Sequence, residues 1–171
     1  FEGFTRETYG PGNAVLFAAV MSHYIQDAHQ PLHASVNYDG QLTGNNGIHA
    51  RFETALFERF QSRLTIRPAP PTPIVNSRDA AFDALLSGYK LVDPILKADE
   101  AARQGKETYD DEYFERLFTP VRPILEQRLG EAITATRATL SFAPDRGQTQ
   151  THIHIRRSRR LVDCRSRSSP Y

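Results

Sequence analysis

Histidine and carboxylate residues are concentrated in one short stretch of the 171-residue chain. Four of the six histidines lie within 27 residues, interleaved with three acids, and the set is His23, Asp27, His29, His33, Asp39, His49 and Glu53. Imidazole and carboxylate groups bind zinc and other borderline divalent ions, and a zinc ion with an open position activates water for hydrolysis. The stretch is therefore a candidate hydrolytic metal site.

Spacing selects five of these residues as metal ligands. His23 and Asp27 are four residues apart, as are His49 and Glu53, so each pair projects from one face of a helix. His33 lies two residues beyond a proline, where a helix must end or turn. Because helical bundles build metal sites from facing helices, we predict that all five bind metal, with Asp27 bridging two ions. The catalytic group would then be metal-activated water, and no side chain is assigned as catalyst.

Alternatives stay open for the other residues of this stretch. His29 is offset from Asp27 by two residues and is expected to make a local hydrogen bond. Asp39 either forms a turn or contacts metal through water. Arg51 either meets an anionic substrate or is solvated. For the five ligands, the alternatives are partly buried polar residues that satisfy one another without metal, or solvated helix faces. Burial of so many ionisable groups without metal would be costly.

The elements that position these residues are predicted to be helices. Asn13 is expected to cap an apolar helix that runs to about Ala28. Residues 34–47 are polar and rich in glycine and asparagine, which predicts a surface loop. A second, amphipathic helix is predicted from the spacing of Ile48, Phe52, Leu56, Phe57, Phe60 and Leu64.

Prolines divide the next part of the chain. The prolines between residues 68 and 73 predict an extended connector. Ser77 is expected to cap a third helix, which Pro94 should kink or end. The apolar residues assigned to the core face of this helix are Phe82, Leu85, Leu86, Leu91 and Val92.

The last predicted helices follow a charged segment. Residues 99–112 are predicted to form a charged turn, after which a fourth helical stretch begins. Pro120 and Pro123 are expected to separate that stretch from a final helix reaching about Leu140. Because no run of alternating β-branched residues competes with this pattern, we predict an all-α, multi-helix bundle.

The net charge of +1 combines two unlike segments. Residues 1–143 carry 14 basic and 18 acidic residues, whereas residues 144–171 carry seven arginines and two aspartates. Because the second segment has no helical apolar periodicity, we predict a helical domain over 1–143 and a disordered Arg-rich tail over 144–171. The alternative for the tail is an arm that binds nucleic acid or an anionic membrane surface.

Composition excludes two classes of protein. The one cysteine, Cys164, cannot form an internal disulfide or a thiolate-rich zinc cluster. No stretch approaches the roughly 18 consecutive apolar residues of a membrane span, so no transmembrane segment is predicted. Any zinc site must therefore use histidine and carboxylate ligands.

Two sequence elements resemble a known family. The strings HYIQDAHQPLH (residues 23–33) and GNNGIHARFE (residues 44–53) are similar to the superfamily of zinc-dependent phospholipases C and single-strand-specific nucleases of the S-one/P-one type. Members of this family are all-α enzymes that hold three zinc ions and hydrolyse phosphodiester bonds. The match is strongest over residues 22–57, and the helical pattern remains compatible to about residue 143.

The resemblance implies how the ligands divide. His33, His49 and Glu53 would hold one zinc ion, whereas His23 and Asp27 would supply part of a second, with Asp27 bridging to a third. The run HQPLH is nearer to the nucleases, and Glu53 as the last ligand is nearer to the phospholipases. Both a single-stranded nucleic acid and a phospholipid head group therefore stay open as the substrate.

The chain departs from the family before the first matched element. Family members also use an N-terminal Trp, a nearby His, and a further Asp and His, but the 22 residues before His23 contain no His, Asp or Trp. We therefore expect an N-terminally truncated member with one well-formed zinc site, which can be inactive in isolation. Secretion or export to the periplasm is implied by the resemblance alone.

Two function hypotheses follow from different classes of protein. The first is a zinc-dependent phosphodiesterase, nuclease-like or phospholipase C-like, that uses metal-activated water. The alternative is a non-catalytic helical metal-binding fragment whose only binding activity lies in the basic tail.

Overall fold

The computed structural model describes residues 11–105 and 108–141, and within these ranges every regular element is helical. Helix α1 (Pro11–His29) is followed by a 3-10 turn (Pro31–Ala34). Helix α2 comes next and has three consecutive parts, which are α-helical Ile48–Ala50, a π-helical turn (Arg51–Ala55) and α-helical Leu56–Phe60. It ends in a 3-10 turn (Gln61–Arg63). Helix α3 spans Ser77–Tyr89, α4 spans Val92–Arg103 and α5 spans Asp111–Ser141. The all-α prediction is confirmed for this part of the chain, and the predicted tail 144–171 lies outside the described residues.

The core forms where α2, α4 and α5 meet. Its buried members include Ile48, Phe52, Leu56, Phe60, Val92, Ile95, Leu96, Tyr113, Phe114, Leu117, Phe118, Val121 and Leu125. The rings of Phe60 and Phe118 stack with their centroids 4.2 Å apart. The apolar stripe predicted for the second helix therefore faces this core, except that Phe57 is 38% exposed.

Helices α1 and α3 bury little apolar surface of their own. The core assignment of Phe82 and Leu86 is wrong, since these side chains are 58% and 60% exposed. α3 instead buries Ala84 and Gly88. A Cβ atom on Gly88 would lie only 3.3 Å from a guanidinium nitrogen of Arg128. The contact face of α3 is therefore set by small residues that allow close approach.

Exposed apolar residues also cover much of α1. They are Val15, Leu16, Phe17, Val20, Met21 and Tyr24. No helix among the described residues has both the length and the apolar character needed to cross a bilayer.

The boundaries of α3 and α4 correct three predictions. Asn76, not Ser77, caps α3, because its Oδ1 atom accepts hydrogen bonds from the amides of the two residues after Ser77. Pro94 ends no helix and lies in the first turn of α4, where an amide has no helical partner to lose. The predicted charged turn is also wrong at its start, since Asp99 and the residues up to Arg103 are helical. Asp99 is fully buried, which requires charged or polar partners in a fixed position.

Helix α5 continues through both of its prolines. The predicted break at Pro120 and Pro123 is wrong, since one helix spans Asp111–Ser141. A proline inside a helix costs about 3 kcal/mol because it removes one hydrogen bond and crowds the preceding turn. Both prolines lie on the exposed side, whereas Leu117, Val121 and Leu125 continue one buried stripe past them. Packing of that stripe offsets the local cost.

The proline-containing connector between α2 and α3 has no regular structure and lies along α5. The amide of Thr65 donates to a Glu126 carboxylate oxygen at 2.7 Å, and the amide of Ala69 donates to the Thr134 hydroxyl at 2.9 Å. The bond from Thr65 lowers the pKa of Glu126. The predicted connector is therefore held along α5 by hydrogen bonds to polar side chains of that helix.

Arg128 on α5 joins α1 and α3. Its guanidinium is buried and donates to the carbonyls of His29 (2.6 Å) and Ala84 (2.9 Å). It also pairs with Glu131 at 2.5 Å, and its burial lowers the pKa of the guanidinium. The C-terminal end of α1, which carries the predicted ligands His23 and Asp27, is therefore held by a charged donor from α5.

We predict that Arg128→Met lowers the free energy of unfolding by roughly 3 kcal/mol, because a buried carbonyl that loses a charged donor costs about 1–3 kcal/mol. Urea denaturation measures the change. Arg122→Met on the exposed side of the same helix is the matched control and should cost less than about 1 kcal/mol. Equal losses in the two variants would contradict the role assigned to Arg128.

Candidate metal centre

Three predicted ligands converge at the junction of the 3-10 turn and α2. The Nε2 atoms of His33 and His49 are 3.1 Å apart, and an Oε atom of Glu53 lies 2.7 Å from His49 Nε2 and 3.7 Å from His33 Nε2. Tetrahedral zinc with bonds of about 2.0–2.1 Å separates its ligand atoms by about 3.3 Å. The three distances bracket that value, so these side chains fit a single divalent cation.

His33 and Glu53 are linked through Gln30. The Gln30 side chain accepts a hydrogen bond from the amide of Leu32 and so caps the 3-10 turn that carries His33. Its Nε2 atom donates to Glu53 at 3.0 Å. One glutamine therefore fixes the turn and orients a carboxylate that comes from a different element.

His49 and Glu53 are held by the local geometry of α2. Gly47, with φ of +79°, turns the chain into the helix. The His49 amide lies 3.3 Å from a carboxylate oxygen of Asp39, so this aspartate contacts the helix start. A π-helical turn spans Arg51–Ala55, and such turns are frequent at functional sites. Both predicted ligands of α2 therefore project on the same side, toward His33.

The charge of Glu53 is stabilised within this group. Partial burial raises the pKa of Glu53, but the hydrogen bonds from Gln30 and His49 and the nearby imidazole of His33 outweigh it, and the pKa lies below its ordinary value. About half of the Glu53 side chain is accessible, compared with 26% for each of the two histidines. The Glu53 carboxylate is therefore ionised, and it is the most solvent-accessible side chain of the three.

The other two predicted ligands form a neighbouring pair. An Asp27 oxygen lies 3.2 Å from His23 Nε2, and its second oxygen lies 3.8 Å from His33 Nδ1. The ring of His33 therefore faces Asp27 on one edge and the three-ligand group on the other. Asp27 is therefore on the Nδ1 side of His33, but at 3.8 Å it is too far away for a hydrogen bond to the ring. The bridging role of Asp27 and the second ion stay predictions.

Two further sequence expectations have clear outcomes. His29 makes the predicted local hydrogen bond, since its Nδ1 lies 2.7 Å from the carbonyl of Ile25, and burial lowers its pKa. Both interpretations of Arg51 are wrong, because the guanidinium is buried and faces away from the ligands. It pairs with Asp99 at 3.0 Å and stacks over the ring of Tyr109 at 4.0 Å.

The structure contains a buried polar network around Asp99 that the sequence patterns did not predict. Its carboxylate accepts hydrogen bonds from Arg51, Tyr113 and Asn45, and it pairs with Arg103. Burial and the bond to Asp99 raise the pKa of Tyr113. The missed indication is the position of Asp99 inside the apolar stripe of α4, where a carboxylate must find cations in the core.

A cavity of about 530 Å³ adjoins the ligands. His23, Asp27 and Glu53 line one side, and residues of α5 line the other. Its apolar lining includes Phe52, Phe57, Leu125, Leu129, Ala132 and Ile133, and its basic lining includes Arg137. The cavity therefore offers apolar and cationic contacts next to the three-ligand group.

No family model, curated protein or solved structure matches the chain. What the site can do is therefore argued from its donors, distances and surroundings. These describe a three-ligand group that can hold a metal ion, with a carboxylate–histidine pair beside it and a cavity at its edge.

We predict that Zn²⁺ or Co²⁺ raises the Tm of the protein, because a ligand that binds only the folded state at 100 times its Kd stabilises it by about 2.7 kcal/mol. Glu53→Gln should remove most of this rise. Glu58→Gln, on the exposed side of the same helix, is the matched control and should keep it. Thermal denaturation with and without metal is the measurement, and an equal rise in both variants would contradict the site.

Proposed function

We propose that the protein is a zinc-dependent hydrolase acting on phosphodiester bonds. The observation that carries the proposal is the convergence of His33, His49 and Glu53 beside an open cavity. Three protein ligands with one side open to solvent are typical of catalytic rather than structural zinc. The resemblance of the two ligand-bearing strings to zinc phospholipases C and nucleases supports phosphodiesters as the substrate class.

Two imidazole nitrogens and one carboxylate oxygen would hold the zinc, which supplies Lewis-acid activation of water and of a phosphoryl oxygen. The chain's own residues prepare that chemistry. Gln30 keeps the Glu53 carboxylate directed at the histidines. The Asp27 carboxylate lies 3.8 Å from His33 Nδ1, and its negative charge favours a proton on that nitrogen, which leaves Nε2 free to ligate.

Arg137 is the proposed contact for the substrate phosphate. It lines the cavity shared with Asp27 and Glu53, and the described residues include no carboxylate paired with it. A guanidinium can form two parallel hydrogen bonds to phosphate oxygens. Arg128, which lines the same cavity, is already committed to backbone carbonyls and to Glu131. Arg137 is therefore the better candidate for an incoming anion.

Exposed tyrosines flank the ligand histidines. The Tyr24 ring lies 5.6 Å from the His23 ring, and the Tyr38 ring lies 5.9 Å from the His49 ring. Both are more than half exposed, which leaves faces on which a nucleobase could stack. This placement favours single-stranded nucleic acid over a phospholipid as the first substrate to assay.

We predict zinc-dependent hydrolysis of bis(p-nitrophenyl) phosphate that Glu53→Gln lowers by roughly 100-fold or more, since even substitutions outside the ligand shell cost 10–100-fold. Glu58→Gln should retain activity. Parallel assays on single-stranded DNA and on a phosphatidylcholine analogue identify the natural substrate class. Zinc binding without hydrolysis of any of the three would favour the non-catalytic metal-binding alternative.

The assignment of Arg137 gives a separate prediction. Arg137→Gln should raise KM by about 3- to 10-fold, with little change in kcat, because a partly exposed charged hydrogen bond to the substrate is lost. Steady-state kinetics on the most active substrate provide the measurement. Arg122→Gln, elsewhere on α5, should leave both constants unchanged, and an unchanged KM in Arg137→Gln would exclude the contact.

A further inference from the structure

We infer that Asp99 is a positioning residue for the metal centre. Its buried carboxylate, through Arg51 and Asn45, sets the rotation of α2 and with it the direction of His49 and Glu53. The inference rests on the proposed function insofar as it requires that the three-ligand group binds metal. It assigns a role in metal affinity to a residue that touches none of the ligands.

The Asp99 carboxylate receives hydrogen bonds from α2, from α5 and from the loop before α2. One oxygen accepts from Arg51 at 3.0 Å and from the Tyr113 hydroxyl. The other accepts from Asn45 Nδ2 at 2.7 Å and lies 3.3 Å from Arg103 Nε. Asp99 itself is 0% exposed. A carboxylate without access to water holds its donors firmly, because any donor that leaves exposes an uncompensated charge.

Arg51 transmits this constraint to the backbone before His49. Its Nη1 atom donates to the carbonyl of Asn46 at 2.7 Å, and its Nη2 atom donates to the carbonyl of Asn45 at 3.2 Å. A Cβ atom on Gly47 would lie 2.9 Å from Nη1, so the turn and the guanidinium fit closely together. Arg51, which belongs to α2, therefore holds the turn before α2 in place through hydrogen bonds to two of its backbone carbonyls.

The helical geometry converts this constraint into a direction for the ligands. Two residues along a helix correspond to roughly half a turn, also within a π-helical turn, so Arg51 projects roughly opposite to His49 and to Glu53. With Arg51 fixed inward on Asp99, the two ligands must face outward, toward His33. If Arg51 were released, α2 could rotate, and the close approach of His49 Nε2 to His33 Nε2 would be lost.

A role in core stability alone makes a different prediction. Loss of a buried charge partner lowers the Tm whether or not the network positions ligands. Only a positioning role also lowers the metal affinity of the protein that remains folded. The readout must therefore be metal affinity at a temperature where circular dichroism shows each variant to be folded.

The experiment compares the full chain with Asp99→Asn, Tyr113→Phe and Asp93→Asn. Zn²⁺ affinity is measured by competition with a chromogenic chelator, and ligand geometry by the visible absorption of the Co²⁺ form. We expect Asp99→Asn to bind Zn²⁺ about 10- to 100-fold more weakly with a changed Co²⁺ spectrum, as for other substitutions that support metal ligands. Tyr113→Phe, which keeps the packing but removes the hydroxyl that bonds to both Asp99 and Arg51, should weaken binding several-fold. Asp93→Asn, exposed on the same helix, should match the parent protein.

The outcomes separate this inference from the proposed function. If the parent protein binds Zn²⁺ and both network variants bind it equally well, the inference is overturned while the metal site stands. If the parent protein itself fails to bind Zn²⁺, both fall. Should Asp99→Asn fail to fold, Tyr113→Phe decides, since unchanged affinity in that folded variant overturns the positioning role and reduced affinity supports it.

Discussion

The arrangement of the helices depends on which donors form hydrogen bonds with the last carbonyl groups of α1. Pro31 prevents the helix from continuing, so the last carbonyls of α1 lack the amides of a following turn. Arg128 supplies the missing donors for Ala28 and His29 and reaches across to Ala84. A single buried guanidinium thus fixes where α1 stops and brings α1, α3 and α5 together.

The candidate metal centre combines two groups of ligands, and each group is attached to α5 separately. Arg128 holds the group that ends in His33. Tyr113 is linked to the group that carries His49 because its hydroxyl accepts a hydrogen bond from Arg51 and donates one to Asp99. The two attachment points lie fifteen residues apart on α5, about 22 Å along its axis at 1.5 Å per residue. Because both attachment points belong to one continuous helix, the continuity of α5 through its prolines fixes their separation and affects the site.

The sequence predicts those elements that are determined by residues close together in the chain. Spacing of four residues found the two histidine–carboxylate pairs, and apolar periodicity found the helices that carry them. Local rules failed where tertiary contacts decide. The prolines of α5 were expected to break a helix that core packing sustains, and Asp99 was assigned to a turn because its charge was read without its partners. Arg51 was expected to be solvated or to meet a substrate for the same reason, because its partner Asp99 lies 48 residues away in the chain.

The same networks bear on how metal binding and folding are coupled. In small zinc domains the ion supplies most of the folding free energy, because no preformed site exists without it. Here the ligand atoms converge through bonds that involve no metal: Gln30 to Glu53, Arg128 to the end of α1, and Arg51 to Asp99. Helices α2, α4 and α5 also share a buried apolar core. Because the protein already provides the geometry, an ion would bind to a prepared site, and its binding free energy would add to the stability of an existing fold rather than create it.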